Sequence, residues 1–177
     1  MIRNKTEIKM ALEGEYARFV AYLNGLPTTA FLYTQESKWS AAQQLQHIVL
    51  SVNPLVRVFG MSPVQIEKTF GTTAGPGRSF DTMVADYVAQ LDQGGKAPKP
   101  YLPEIVLESD KSALLQLLSK LIASLQLQID VFTEAELDSL GVPHPLLGTI
   151  SLREMLFNAI YHVGHHQKLT EHSLKNR

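Results

Sequence analysis

The sequence predicts an all-α protein built as a helical bundle, and three observations predict it. Apolar residues recur at spacings of three and four through four long segments and one shorter one. Serines followed three places on by glutamine or glutamate, and glycines or prolines past the last apolar residue, mark where these segments begin and end. Strand-like alternation of useful length is missing, with residues 104–107 the one weak exception. A chain of 177 residues, 45% of them hydrophobic, suffices for one substantial core, so residues 1–177 are read as a single domain.

Taken in order, residues 6–26 form the first helix, with Ile8, Leu12, Tyr16, Phe19, Val20 and Leu23 inward and Gly25 and Pro27 ending it. Ser40 and Gln43 make a capping box that opens the second, whose inner face is Leu45, Ile48, Val49 and Val52. Pro54 predicts a kink or an end near Asn53, with continuation to Phe59 as the alternative. Residues 60–78, punctuated by Pro63, Gly71, Gly75, Pro76 and Gly77, read as a loop region with room for one short additional helix at 63–68.

Ser79 or Asp81 caps the next helix, with Phe80, Met83, Val84, Tyr87 and Leu91 inward and Gly94 and Gly95 closing it. The prolines at 98, 100 and 103 suit an extended crossover connector. A fourth long run from Ser109 or Asp110 to about Phe132 carries Leu114, Leu117, Leu118, Leu121, Leu125 and Ile129, most of it expected in the core. Residues 133–147 read as an irregular link, and the last helix begins at Ser151, boxed by Glu154.

Composition narrows the chemistry. With 16 basic and 17 acidic residues the formal charge is -1, and no block of like charge suggests nucleic acid or an anionic membrane as partner. The longest uncharged apolar run, residues 45–56, is far short of the roughly 20 residues that span a bilayer. Lys9, Glu13 and Glu15 interrupt what a signal peptide would need after Met1–Lys5, so a cytoplasmic protein is expected. Zero cysteines exclude disulfides, iron–sulfur clusters, thiolate zinc sites and a cysteine nucleophile. Any metal must therefore be held by imidazole and oxygen ligands.

Three of the six histidines fall within five positions of the last helix. At about 100° per residue, His162 and His166 lie about 40° apart on one side, one turn from each other. Met155, Ala159 and Leu169 share that arc, and Leu152, Leu156 and Val163 continue it. Such an i, i+4 pair is how one helix offers two imidazoles to a single ion, about 6 Å apart at Cβ. Chance produces the same spacing, so the pair alone leaves both readings open. His47, on another helix, is available as a third ligand; taken alone it reads as a surface histidine bonded to Gln43 or Ser51. Three neutral imidazoles would leave one coordination position open, the mark of a catalytic rather than a structural site.

Trp39-Ser40 leading into Gln44-Leu45-Gln46-His47-Ile48, and Gly148-Thr149-Ile150-Ser151 leading into His162-Val163-Gly164-His165-His166-Gln167, resemble the two signature regions of the DinB-like superfamily of helical metalloenzymes. The resemblance extends over nearly the whole chain in element order, and its specific part is these two helices. It implies a four-helix bundle of up-down-down-up connectivity, with His47, His162 and His166 binding a divalent metal ion, zinc or nickel foremost. It also implies a homodimer and, as in some members, transfer or isomerisation chemistry using a low-molecular-weight thiol such as bacillithiol or glutathione.

On this reading His165 flanks the site, Gln167 and Asn158 are candidates to orient the ligating rings or are plain surface residues, and His172 is solvated. His144 reads as an exposed loop residue, with a role at a substrate gate as the alternative. Glu-x-x-His pairs of a di-iron site, a His-Glu-x-x-His run, a Walker lysine pattern and a nucleophile elbow are all missing from the sequence. Two functions remain: a metal-dependent enzyme acting on a small molecule by thiol transfer or hydrolysis, or a non-enzymatic bundle that binds a metal or a partner. No second catalytic acid stands beside the histidines in the sequence, and the catalytic residues are left unassigned.

Overall fold

Side-chain caps decide where most of the helices begin. The computed structural model describes residues 4–35, 38–73 and 77–175, so the expectations resting on Met1–Arg3, Gly75 and Pro76 lie outside the described residues. In chain order the helices are α1 (Lys5–Gly25), α2 (Thr28–Phe31), α3 (Ala41–Phe59), α4 (Pro63–Phe70), α5 (Phe80–Asp92), α6 (Lys111–Ile129), α7 (Glu134–Ser139) and α8 (Leu152–Lys175). Reciprocal capping boxes open α1 with Asn4 and Glu7, α3 with Ser40 and Gln43, α4 with Ser62 and Gln65, and α7 with Thr133 and Glu136. Each box satisfies two amide groups that helical hydrogen bonding leaves free.

The four long helices pack in a closed circuit. α3 lies against α6 and α8, and α1 lies against the same two, while α5 and α7 are applied to the outside of α8. Leu12, Phe19 and Leu23 of α1 meet Leu45, Ile48 and Val52 of α3, Leu118 and Leu125 of α6, and Leu156, Ile160 and Val163 of α8 in one core. Each such side chain contributes ~1.5–3 kcal/mol by leaving water. At one end Phe59 and Phe132 meet edge to face, 5.3 Å between ring centres.

Several expectations are corrected here. α3 does not end near Asn53 but continues through Pro54 to Phe59, the alternative that the sequence left open. The proline connector is not extended throughout, since Lys99–Tyr101 forms a 3-10 turn, and residues 104–107 form no strand. On α6 the inner positions are Leu115, Leu118, Ile122, Leu125 and Ile129, whereas Leu117 is exposed and Leu114 and Leu121 are only partly buried. The helix is apolar on nearly every side, so two overlapping stripes satisfy the same period, and packing against α1 and α3 selects one. Residues 108–129 are long and apolar enough to meet the composition of a membrane span, with 28% of the apolar stretch buried by the rest of the chain.

The link at 133–147 is more ordered than expected. It contains α7 and the first strand of a hairpin, β1 (Gly141–His144) paired antiparallel with β2 (Gly148–Ser151), with Val142 opposite Ile150 and His144 opposite Gly148. Gly148 turns the chain at φ +69°, a conformation a side chain would strain. Gly71 at φ +81° ends α4, and its carbonyl accepts from the Gly141 amide at 3.0 Å, tying the hairpin to α4.

β2 delivers the chain directly into α8. Ser151 and Glu154 exchange hydrogen bonds, Ser151 N to Glu154 Oε2 at 2.8 Å and Glu154 N to Ser151 Oγ at 3.1 Å. The same buried carboxylate accepts from the Arg78 amide at 2.9 Å and from Arg78 Nε at 2.7 Å, while Arg78 also reaches Asp86 on α5 at 3.0 Å. One side chain thus fixes the start of α8 and clamps the approach to α5 onto it. Replacing it by Glu154→Gln keeps the shape and removes the charge. Urea unfolding of that variant is expected to show a loss of ~2 kcal/mol, the scale of a hydrogen bond to a charged group; an unchanged midpoint would show that the clamp contributes nothing.

Candidate metal centre

The caps of α3 and α8 set the register of the histidines. With Leu45, Ile48, Val49 and Val52 buried in the core, His47 is brought to the side of α3 that faces α8, and Gln44 sits one turn before it, also buried. On α8, Leu156, Ile160 and Val163 face the core, and His162 and His166 emerge beside them, one turn apart. His47 Nε2 lies 3.2 Å from His162 Nε2, and His166 Nε2 lies 2.9 Å from the same atom. The three nitrogens available for ligation all lie within 4.8 Å of one another. His47 and His166 are buried, and His162 keeps some surface where it faces a cavity.

The outer nitrogens decide what the inner ones can do. His47 Nδ1 is 2.7 Å from the Tyr101 carbonyl oxygen, and His166 Nδ1 bonds the side-chain oxygen of Gln44. A carbonyl oxygen can only accept, so both Nδ1 atoms carry the hydrogen and both Nε2 atoms present bare lone pairs. His162 Nε2 stands between them and can donate to only one. Three neutral rings therefore leave at least one acceptor facing an acceptor at hydrogen-bond distance, and a cation at the centre relieves the conflict. This is also the pattern by which ligating imidazoles are oriented, each held through its far nitrogen.

Charge state agrees with that geometry. Burial pushes His162 and His166 well below the ordinary histidine value of 6.5, and the neighbouring imidazoles push them further. Burial lowers His47 as well, against a smaller upward effect of its bond to Tyr101. All three are neutral at pH 7, the form that binds metals.

Aromatic rings close around the cluster. Trp39 stacks on His166 with ring centres 6.2 Å apart and planes 14° apart, and tilts against His47 at 4.9 Å. Tyr87 of α5 meets His162 and His144 edge on, at 6.2 and 5.8 Å. On the open side lies a cavity of about 400 Å³ that the three histidines line. Pro54, Leu55 and Val58 of α3, Leu91 of α5, and Leu146 form apolar parts of its wall. No aspartate or glutamate is among the described residues that line it.

The other sequence candidates divide, His165 flanking the site as expected and the rest falling differently in whole or in part. His47 is not a surface histidine; Ser51 bonds only its backbone carbonyl, at 2.9 Å. His165 lines the cavity rim with its ring stacked on Tyr161. Gln167 bonds Glu171 at 2.8 Å and no ligating ring, and Leu169, on the arc of His162 and His166, is exposed. Asn158 is buried and bonds His144 rather than a ligating ring. His144, expected exposed, is half-buried in β1 and lines the cavity. Gln44, the Tyr101 carbonyl, Trp39 and Tyr87 were not singled out as site residues. Gln44 was findable, three residues before His47 on a helix and so on nearly the same side; the Tyr101 carbonyl was not, because a backbone group has no sequence signature.

Comparison with protein families matches residues 11–169 to the model described as the DinB superfamily. A search of curated proteins finds no match to the chain.

The histidine shifts have a consequence for the metal-free protein. Above pH 6.5 the folded and unfolded chains are both neutral at these rings. As pH falls below 6.5 the unfolded chain takes up protons that the folded one refuses, so stability falls. Burial lowers His47, His144, His162, His165 and His166 alike, while Glu134, Glu136 and Glu154, held below 4.5, act only at lower pH. Unfolding free energy of the metal-free chain is expected to drop between pH 7 and pH 5.5, and to drop less in His162→Gln; equal slopes in the two proteins would refute the assignment of that ring.

Proposed function

The chain belongs to the DinB superfamily, and from that premise we propose that it is a metal-dependent enzyme acting on a small molecule, with His47, His162 and His166 holding a divalent ion, zinc or nickel. The observation that carries the reading is the convergence of three Nε2 atoms, two of them stripped of hydrogen by bonds at the far side of their rings. A bound divalent ion would supply a Lewis acid with an open position, lowering the pKa of a thiol or a water. The four long helices are read as the four-helix bundle of up-down-down-up order that the family implies, a reading supported by their closed packing circuit.

The chain's own residues supply the rest. Gln44 and Tyr101 keep the ligating rings in one tautomer, and Trp39 covers two of them against water. The apolar wall binds and orients a small molecule by excluding solvent around it. That no carboxylate appears among the described residues lining the cavity favours thiol transfer over hydrolysis. A thiol that loses its proton to the solvent on binding needs no resident base, whereas water attack gains from one. His165, which lines the cavity and is not one of the three ligands, offers a nitrogen that can take up a proton there. The alternative, a bundle that binds a metal or partner without turnover, draws on the same lack of an acid. We place the protein in the cytoplasm as a homodimer, with the exposed Leu117, Leu127 and Val131 around α6 and its end as support for pairing of two copies.

Elemental analysis of untagged protein is expected to find about one divalent ion per chain. His47→Ala, His162→Ala and His166→Ala should each lose it. Adding metal at about 100 times its Kd should raise wild-type stability by ~2.7 kcal/mol and leave the variants unmoved. A wild type without stoichiometric metal, together with a His162→Ala variant unchanged in metal content and stability, would sink the site. Turnover of a small thiol with electrophilic acceptors separates the enzyme from the binder, and no turnover with any acceptor favours the binder.

A further inference from the structure

One turn before His162 on α8, a polar side chain stands buried with half of its hydrogen-bonding capacity unused. Asn158 is 7% exposed and lines the cavity. Its Oδ1 lies 3.3 Å from His144 Nε2, and its Nδ2 has no hydrogen-bond partner among the described residues. Leaving a buried amide nitrogen unpaired costs about 1–3 kcal/mol. Nδ2 itself lies beneath the surface of the cavity that its residue lines, so an entering group meets it only as that wall yields.

Which way the amide faces is settled by His144. The Leu146 and Leu147 amides both donate to His144 Nδ1, each at 3.1 Å. Nδ1 must therefore be the acceptor nitrogen, the hydrogen sits on Nε2, and Nε2 donates to Asn158. That leaves Asn158 Oδ1 as the accepting atom and Nδ2 as the unpaired donor. Backbone amides of the turn that closes the hairpin thus dictate, through one imidazole, that the unused hydrogen-bonding group at residue 158 is an N–H donor. Lys96 lines the cavity as well, and the absence of carboxylates among its described lining residues favours the same kind of guest.

We propose that Asn158 anchors an acceptor oxygen, a carbonyl or carboxylate, of a small molecule with an apolar body, and that His144 is the positioning residue that fixes the amide's orientation. The proposal rests on the cavity beside the three histidines being the substrate site. Asn158 and His162 are i and i+4 on one helix, about 6 Å apart at Cβ. The anchored oxygen therefore sits about one helical turn from the ligating rings, and the apolar body lies along Pro54, Leu55, Val58, Leu91 and Leu146. The substrate class is a carbonyl or carboxylate compound whose reacting atom is a few bonds from that oxygen.

The test titrates the metal-loaded protein with hexanamide, hexanoate and hexylamine, which share an apolar body and differ in whether they carry an acceptor oxygen, and measures metal content on every sample. Wild type should bind the amide and the carboxylate. Asn158→Leu should weaken both about tenfold with metal content unchanged and the amine no weaker, and Asn158→Asp should turn the preference toward the amine. His144→Phe should erase the discrimination between amide and amine, and His144→Gln, which can still accept and donate, should restore it. A readout that needs no variant is the Asn158 side-chain amide resonance of wild type, which should shift when hexanamide is added.

Wild type that binds neither hexanamide nor hexanoate, or Asn158→Leu with undiminished hexanamide affinity, overturns the proposal. Failure of the metal reading shows separately, as missing metal in wild type. The same titrations on that metal-free protein then decide the role of Asn158: amide discrimination lost in Asn158→Leu supports it, and discrimination retained overturns it.

Discussion

Three imidazole Nε2 atoms brought to one point, at least two of them bare of hydrogen, constitute the constraint on which the rest of this structure depends. Neutral rings in that arrangement repel, and a helix pair left to itself would rotate one ring away. The chain prevents it from outside, by giving the far nitrogens of His47 and His166 carbonyl acceptors in Tyr101 and Gln44. Burial then keeps the rings neutral, and Trp39 fills the space into which they could swing. The repulsion is retained because the core of α3 and α8 over-determines their register.

That register was readable in the sequence because it is written in side chains. Ser40 with Gln43 and Ser151 with Glu154 announce the starts of α3 and α8, and helical period carries the phase forward to His47, His162 and His166. What was not readable has physical reasons as well. α7 is six residues long, too short to show a period, although Thr133 and Glu136 already spell its cap. The hairpin holds Pro143 and His144 in β1 and buries little beyond Val142 and Ile150, so its alternation is faint. α6 is apolar on nearly every side, and only its neighbours decide that Leu115 and Ile122 face inward and Leu117 outward.

His144 shows how far a misplaced turn propagates. Read as part of an irregular link it is an exposed loop residue; read as the end of β1 it is held by the amides of its own turn and reaches α8 at Asn158. Glu154 has a similar reach. As the capping partner of Ser151 it is a local signal, yet folded it also receives Arg78 and so brings α5 and Tyr87 to the cavity. For Glu154 the local motif was visible, for His144 it was not, and in both cases the long-range partner lay beyond local sequence.

The contact between His47 and Tyr101 has one more implication. Its acceptor is a main-chain oxygen in the proline-bearing connector, so the bond depends on the path of the chain and not on the identity of residue 101. The Tyr101 side chain lines the cavity, while its carbonyl is held by a chain path that Pro98 and Pro100 restrict. The rigid phenomenon here is the crossover itself, whose backbone acts as an electronic tuner, raising the basicity of a ring 54 positions away in sequence.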